Sequence, residues 1–216
     1  MPKEVDHPAR RRELAGAACR VIARSGLSGA TLAHVAEESG WSIGSIRYYF
    51  PDKDQLVAAA LWWVGERSDE RIRLHASGTT MSDLRTAAAD LLPLDADTRE
   101  MSLVYLAFVA QAAVVRELAD AAEGAAQRLQ EPLAARIGHL IQAGELPAHL
   151  DAENEAARLS LLIDGLRLQL LTTPQHTSAR SALEILDDHL SALAASQPPS
   201  AVTAPVSAVA EGAANG

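Results

Sequence analysis

Between Thr31 and Leu56 the sequence reads TLAHVAEESGWSIGSIRYYFPDKDQL, and this short span carries three helix starts and two breaks. Thr31 is placed to cap a short helix with Leu32, Val35 and Ala36 on one face, and Ser39-Gly40 ends it. Ser42 caps a second short helix that reaches Tyr49 or Phe50. Pro51 stops it there, because proline disfavours a helical residue before it. Asp52 with Gln55 three residues later resembles a capping box, opening a long helix through Leu56, Ala60, Trp63 and Val64 towards Leu74. A gap as short as Ser39-Gly40-Trp41 forces the first two helices to cross sharply, which is the pattern of a helix-turn-helix.

The rest of the chain is also helical in pattern. Period-two alternation and β-branched runs are scarce, while alanine and leucine dominate. Upstream, Arg10 to Ser25 repeats Leu14, Ala17, Ala18, Val21 and Ile22 at helical spacing, with Gly26 as the stop. Beyond a Ser77-Gly78 break, helices are predicted near Met81–Leu91, Asp97–Val115, Arg116–Ala143 with a kink at Pro132, Asp151–Leu171 and Thr177–Ala195. The expected fold is therefore all-α with about nine helices. With 48% apolar residues in 216, the chain can bury one large core or two small ones. Three regions are expected: 1–51 as a helix-turn-helix domain, 52–196 as a second helical domain, and 197–216 as a disordered tail of Ala, Pro, Ser, Val and Gly.

Charge narrows the possible partners. The formal net charge is −9, yet residues 1–60 hold eight Lys and Arg against seven Asp and Glu, so the acidity lies downstream. An acidic body repels a phosphate backbone, whereas the N-terminal lobe is free to approach one. Cys19 is the single cysteine, which excludes an internal disulfide and suits a reducing compartment, so a cytoplasmic location is expected. Cys19 itself reads as a small buried hydrophobe. Met1–Arg12 is polar and lacks a secretory pattern, and Met101–Val115 is short of the ~20 residues a spanning helix needs, so no membrane partner is expected. The histidines lack the i, i+4 or carboxylate spacing of a zinc site, and no nucleophile–base arrangement or phosphate-cradling glycine loop is visible. No metal, cofactor or catalysis is expected.

If Leu32, Val35, Ala36, Ile46 and Phe50 form the core beneath the helix-turn-helix, the second helix turns Ile43, Gly44, Arg47 and Tyr48 outward. On such a face Arg47 suits guanine O6 and N7, and Gly44 lets the backbone approach a base edge. Tyrosine hydroxyls, Lys53 and the helix start at Thr31 suit phosphate oxygens. Phe50 is expected inside and both tyrosines at the rim. Arg10-Arg11-Arg12 reads as a solvated or fraying face and stays outside the site.

The span Thr31–Leu56 resembles the N-terminal signature of the TetR family of bacterial transcription regulators. By that resemblance Ile43, Gly44, Ser45 and Arg47 are base-contacting positions, while Thr31, Tyr48, Tyr49 and Lys53 are phosphate-contacting ones. Arg47 departs from the tyrosine that many members carry, so the preferred base sequence does not transfer. More loosely, LLPLDADTREMSLVYLAFVAQA, AGEL at Ala143–Leu146 and LLIDGLRLQLL at Leu161–Leu171 are similar to the BetI-type C-terminal subgroup.

The resemblance implies a homodimeric regulator, a repressor released from a palindromic double-stranded operator when a small molecule binds the C-terminal domain. The leucine-rich helices near 151–171 and 177–195 would supply the dimer interface, with Gly165 allowing close approach. Asp164 and Arg167 are spaced to pair on one helix face. Trp63, Tyr105 and Phe108 are the candidate walls of an effector pocket. Two readings compete with this one: an all-α small-molecule binding protein or enzyme without DNA function, and a nucleoid-type protein binding DNA without sequence preference. Net acidity disfavours the second of them.

Overall fold

The computed structural model describes residues 6–74 and 80–197. The segment expected to be a disordered tail lies outside them from residue 198 onward. Among the described residues there are nine α-helices and no strand: α1 (His7–Gly29), α2 (Leu32–Ser39), α3 (Ile43–Tyr49), α4 (Lys53–Leu74), α5 (Met81–Ala89), α6 (Ala96–Ala112), α7 (Ala119–Gln142), α8 (Ala152–Thr172) and α9 (Ala179–Ala194). A 3-10 turn at Arg116–Leu118 precedes α7, where a continuous helix from Arg116 was expected.

Side-chain caps account for most of the starts. Asp6, Thr31, Ser42, Thr80, Asp95, Asp151 and Ser178 each accept a backbone N–H from the first turn of the helix they open. Asp52 does the same for α4, taking the Gln55 N–H at 2.9 Å. The Gln55 amide turns to the Asp52 carboxylate at 3.3 Å, so the pair is not a full capping box. The full boxes are Thr80 with Asp83 and Asp95 with Thr98, neither singled out by sequence. Gly26 breaks the path of α1 with φ 69°, after which one further turn leads to Ala30. Pro132 lies inside α7 without ending it.

Two apolar cores result. The N-terminal core gathers Leu14, Ala18, Val21 and Ile22 of α1 with Val35, Ile46, Phe50, Leu56 and Ala60, and it also takes Met101 and Val104 from α6. It therefore extends beyond residue 51 into α4 and α6. The C-terminal core joins Leu84, Leu91 and Leu92 to Leu133, Ile137 and Leu140 of α7, Leu159 and Ile163 of α8 and Leu186 of α9. Arg85 of α5 and Asp187 of α9 form a two-pronged ion pair across that core's edge. Cys19 is fully buried, its thiol donating to the Ala60 carbonyl at 3.4 Å, and burial pushes its pKa far above the ordinary thiol range.

The cap at Asp95 couples stability to acid. Hydrogen bonds from the Thr98 backbone and hydroxyl hold its carboxyl below the ordinary range. A carboxyl depressed in the folded state stabilises the fold above its unfolded pKa and loses that contribution as pH falls through the folded one. Asp95→Ala is expected to cost about 1 kcal/mol in urea unfolding at neutral pH. The deficit should begin to shrink as pH falls below about 4, the ordinary carboxylate value, and close only at the lower pH where Asp95 takes up its proton in the folded state.

Candidate nucleic-acid interface and C-terminal cavity

A seven-residue helix makes too few internal bonds to hold itself, so α3 takes its orientation from what it buries. Ile46 and Phe50 are fully buried and Tyr49 nearly so. That leaves Ile43, Gly44, Arg47 and Tyr48 facing solvent, as their spacing predicted, with Tyr48 at 73% exposure. The turn before α3 rests on Gly40, whose φ of 72° closes α2 while its N–H reaches the Ala36 carbonyl at 2.9 Å. A side chain there would be strained, which explains glycine. Trp41 then folds back towards α1, its indole N–H donating to Glu13 at 3.1 Å. Ser42 accepts the Ser45 N–H at 3.1 Å, and the two hydroxyls lie 2.8 Å apart.

The phosphate-side set is less uniform than expected. Thr31 caps α2 through the His34 N–H at 3.2 Å, and Lys53 stands at the start of α4 with its ammonium 3.3 Å from the Ser28 carbonyl. Tyr48 is open to solvent. Tyr49 is not at the rim: it is 8% exposed, its hydroxyl lies 3.2 Å from His7 Nδ1, and its ring meets Trp41 and Tyr48 edge-on. The reason is register, since Tyr49 follows Ile46 by three residues and shares its inward face.

The Arg10–Arg12 run is exposed, as the solvated reading expected, but it is held by partners rather than fraying. Arg10 pairs with Glu13 at 2.9 Å and lies over the Trp41 ring. Arg11 covers the Phe50 ring and donates to the Tyr49 carbonyl at 3.0 Å, near the end of α3. Arg12 reaches Glu66 of α4 at 3.2 Å. Apart from the local Arg10–Glu13 pair, these partners are distant in sequence, so spacing gave no sign of them. Arg20 and Arg24 similarly bracket Glu38 of α2 at 2.6 and 3.1 Å, holding its carboxyl below the ordinary range.

The second candidate site is a small cavity enclosed by α4, α6, α7 and α8. Its free space is about 30 Å³, room for a water or two rather than a metabolite. Of the three expected wall residues only Tyr105 lines it. Phe108 is buried in helix packing, and Trp63 turns to α1, where it packs beside Gly16 under the Arg67 guanidinium. Helical register is the cause, because Trp63 lies between the wall positions Leu61 and Val64 in sequence and points to another face of α4.

Asp164 and Arg167 do pair, at 3.2 Å, and the pair belongs to a larger network. Tyr105 donates its hydroxyl to Asp164 at 3.0 Å, while Arg167, almost wholly buried, donates Nε–H to the Leu91 carbonyl at 2.8 Å. Burial, reinforced by the Asp164 carboxylate, pushes the Tyr105 phenol up to about 12. Burial pulls Arg167 below the usual guanidinium range.

Comparisons with known proteins cover both the N-terminal and the C-terminal regions of the chain. Residues 14–60 match the bacterial regulatory proteins of the tetR family, and residues 81–195 match the C-terminal domain of BetI-type transcriptional repressors. The HTH-type transcriptional regulator PksA of Bacillus subtilis (strain 168) is 31% identical, covering 89% of this chain and 94% of that one. A BetI regulator of Paraburkholderia phymatum is 30% identical, covering 90% and 98% respectively. A transcriptional regulator from Saccharomonospora viridis, solved in complex with choline, superposes with a TM-score of 0.74 at 26% identity, covering 85% of this chain and 96% of that one.

The arginine clamp can be measured without any ligand. Arg11→Ala removes a cation–π contact and a charge-assisted hydrogen bond, and should cost about 1–2 kcal/mol in urea unfolding. Arg24→Ala, which leaves Arg20 on Glu38, is expected to cost less than about 1 kcal/mol.

Proposed function

The chain belongs to the TetR family of transcriptional regulators, and on that premise we propose that it is a homodimeric repressor that leaves a palindromic operator when a small molecule occupies the C-terminal cavity. What carries this reading is the outward face of α3, where Ile43, Gly44 and Arg47 stand clear of the core on a helix whose opposite side is buried. Ile43, Gly44, Ser45 and Arg47 read base edges in the major groove. Thr31, Tyr48 and Lys53 hold the flanking phosphates, with the Lys53 ammonium exchanging the Ser28 carbonyl for a phosphate oxygen. Tyr49 supports Tyr48 from inside rather than gripping DNA itself.

One short helix reads too few base pairs for specificity, so a second copy is required. Leu161 and Leu168 lie seven residues apart on α8, at 71% and 46% exposure, and Ile185 on α9 is 44% exposed. This apolar stripe on the last two helices is the surface we assign to the dimer, as a four-helix interface.

Release follows from how the cavity is built. Val64 of α4 and Met101 of α6 stand on its wall and also belong to the N-terminal core. A molecule that fits only when α4 and α6 part selects a state in which that core, and α3 with it, is repositioned. As α4 begins at Lys53, its displacement also moves a phosphate contact.

Footprinting on the upstream region of the protein's own gene, with competitor DNA present, should reveal protection of an inverted repeat; uniform weak protection at low salt, or none, would overturn the reading. Arg47→Ala should cost about 1–3 kcal/mol and relax preference at one base position. Lys53→Ala should weaken every sequence alike and flatten the salt slope by about one unit. Tyr49→Phe should leave operator affinity within about twofold, as its hydroxyl is spent on His7. For the dimer, Leu161→Glu is expected to shift sedimentation towards the monomer and to abolish protection of the paired half-sites together.

A further inference from the structure

The cavity wall has an unpaired hydrogen-bond donor. Arg167 is answered by Asp164 and by the Leu91 carbonyl. Asp69, also on the wall, is engaged in an interaction of its own. Arg128 is different: its Nε is buried and finds no hydrogen-bond partner among the described residues. The guanidinium lies across α4 at Gly65, where a Cβ would come within 3.3 Å of Nε. A glycine at this point lets the arginine lie close against α4 without crowding. Beside it stand Leu61, Val64 and Leu129, which offer an apolar lodging.

A quaternary ammonium, such as the choline held by the Saccharomonospora viridis regulator, is recognised through aromatic faces or unpaired carboxylates. Neither is on offer here. Tyr105 is the one aromatic side chain on the wall, and the Arg167 guanidinium already lies over it, 5.1 Å from the ring centre.

We propose that the molecule which opens this cavity is a small amphipathic carboxylate, its anionic head taken by Arg128 and its apolar body lodged against Leu61, Val64 and Leu129. This rests on the reading of the cavity as the effector site and adds the ligand's chemical class. The carboxylate supplies the acceptor that the buried Nε–H lacks, in the charge-assisted geometry that guanidinium prefers. The free volume is too small for such a molecule until α4 moves away from α7. Binding energy spent at Arg128 is therefore coupled to the helix that leads to Lys53.

The test is calorimetric titration of the full chain with hexanoate, decanoate, benzoate and indole-3-acetate, each against its primary amide, and with choline. At least one carboxylate should bind saturably, with its amide at least about tenfold weaker, as expected for loss of a charge-assisted bond, and with choline inert. Arg128→Gln should lower affinity for that carboxylate at least about tenfold, and Arg128→Lys by less. Should Arg128→Gln melt at ambient temperature, Gly65→Ala serves in its place. Alanine is a stronger helix former than glycine, and its methyl, 3.3 Å from Nε, forces Arg128 to shift by a few tenths of an ångström, so a smaller loss of affinity in the same direction is expected. Carboxylates that are all inert, amides or choline that bind as tightly, or variants with unchanged affinity would each overturn the proposal. Operator protection separates this outcome from the underlying reading: protection relieved by choline and not by carboxylates leaves the regulator standing and removes the carboxylate.

Discussion

Everything on the outer face of α3 depends on what its inner face is pressed against. Seven residues have little helical stability of their own, and the burial of Ile46 and Phe50 against α1 supplies what backbone hydrogen bonding cannot. Arg11 closes this arrangement from above, with its guanidinium on the Phe50 ring and a hydrogen bond to the Tyr49 carbonyl. The outward face of α3 is in this sense a by-product of packing. Move Phe50 and the face carrying Arg47 and Tyr48 rotates with it.

The helices were legible because their signals are local. Caps at Thr31, Ser42 and Asp52 and stops at Gly40 and Pro51 act over three or four residues, a range within which sequence order and spatial order agree. The outward set on α3 followed from the same periodicity. Contacts that span the chain were not legible. The partners of Arg11, Arg12 and Arg20 lie 18 to 54 residues away, and such distances leave no imprint on spacing. Trp63 failed as a wall residue for a related reason. Aromatic character identifies a side chain worth burying, but a rotation of about 100° per residue decides which of two cores receives it. Tyr49 shows the error in reverse, a residue with a polar tip drawn inward by the register of its neighbours.

α6 ties the two halves together. Its Met101 and Val104 complete the core beneath the helix-turn-helix, while Thr98, Ser102 and Tyr105 look into the cavity and Asp97 receives Arg67 and Arg71 from α4. The two helices are thus bonded to each other beside the cavity and share a core beyond it. Such an arrangement transmits displacement as a rigid shift, since a close-packed core yields in steps rather than by gradual compression.

A cavity with about 30 Å³ of free space also has a thermodynamic consequence for the other end of the molecule. In the regulator proposed above, whatever factor the effector takes from operator affinity the operator takes from effector affinity, by linkage. Operator sequences that grip the closed dimer more firmly thereby raise the effector concentration needed for induction, although no nucleotide approaches the cavity. Promoters of graded affinity would then respond in sequence to a rising metabolite, the weakest site first, with one protein and one pocket setting every threshold.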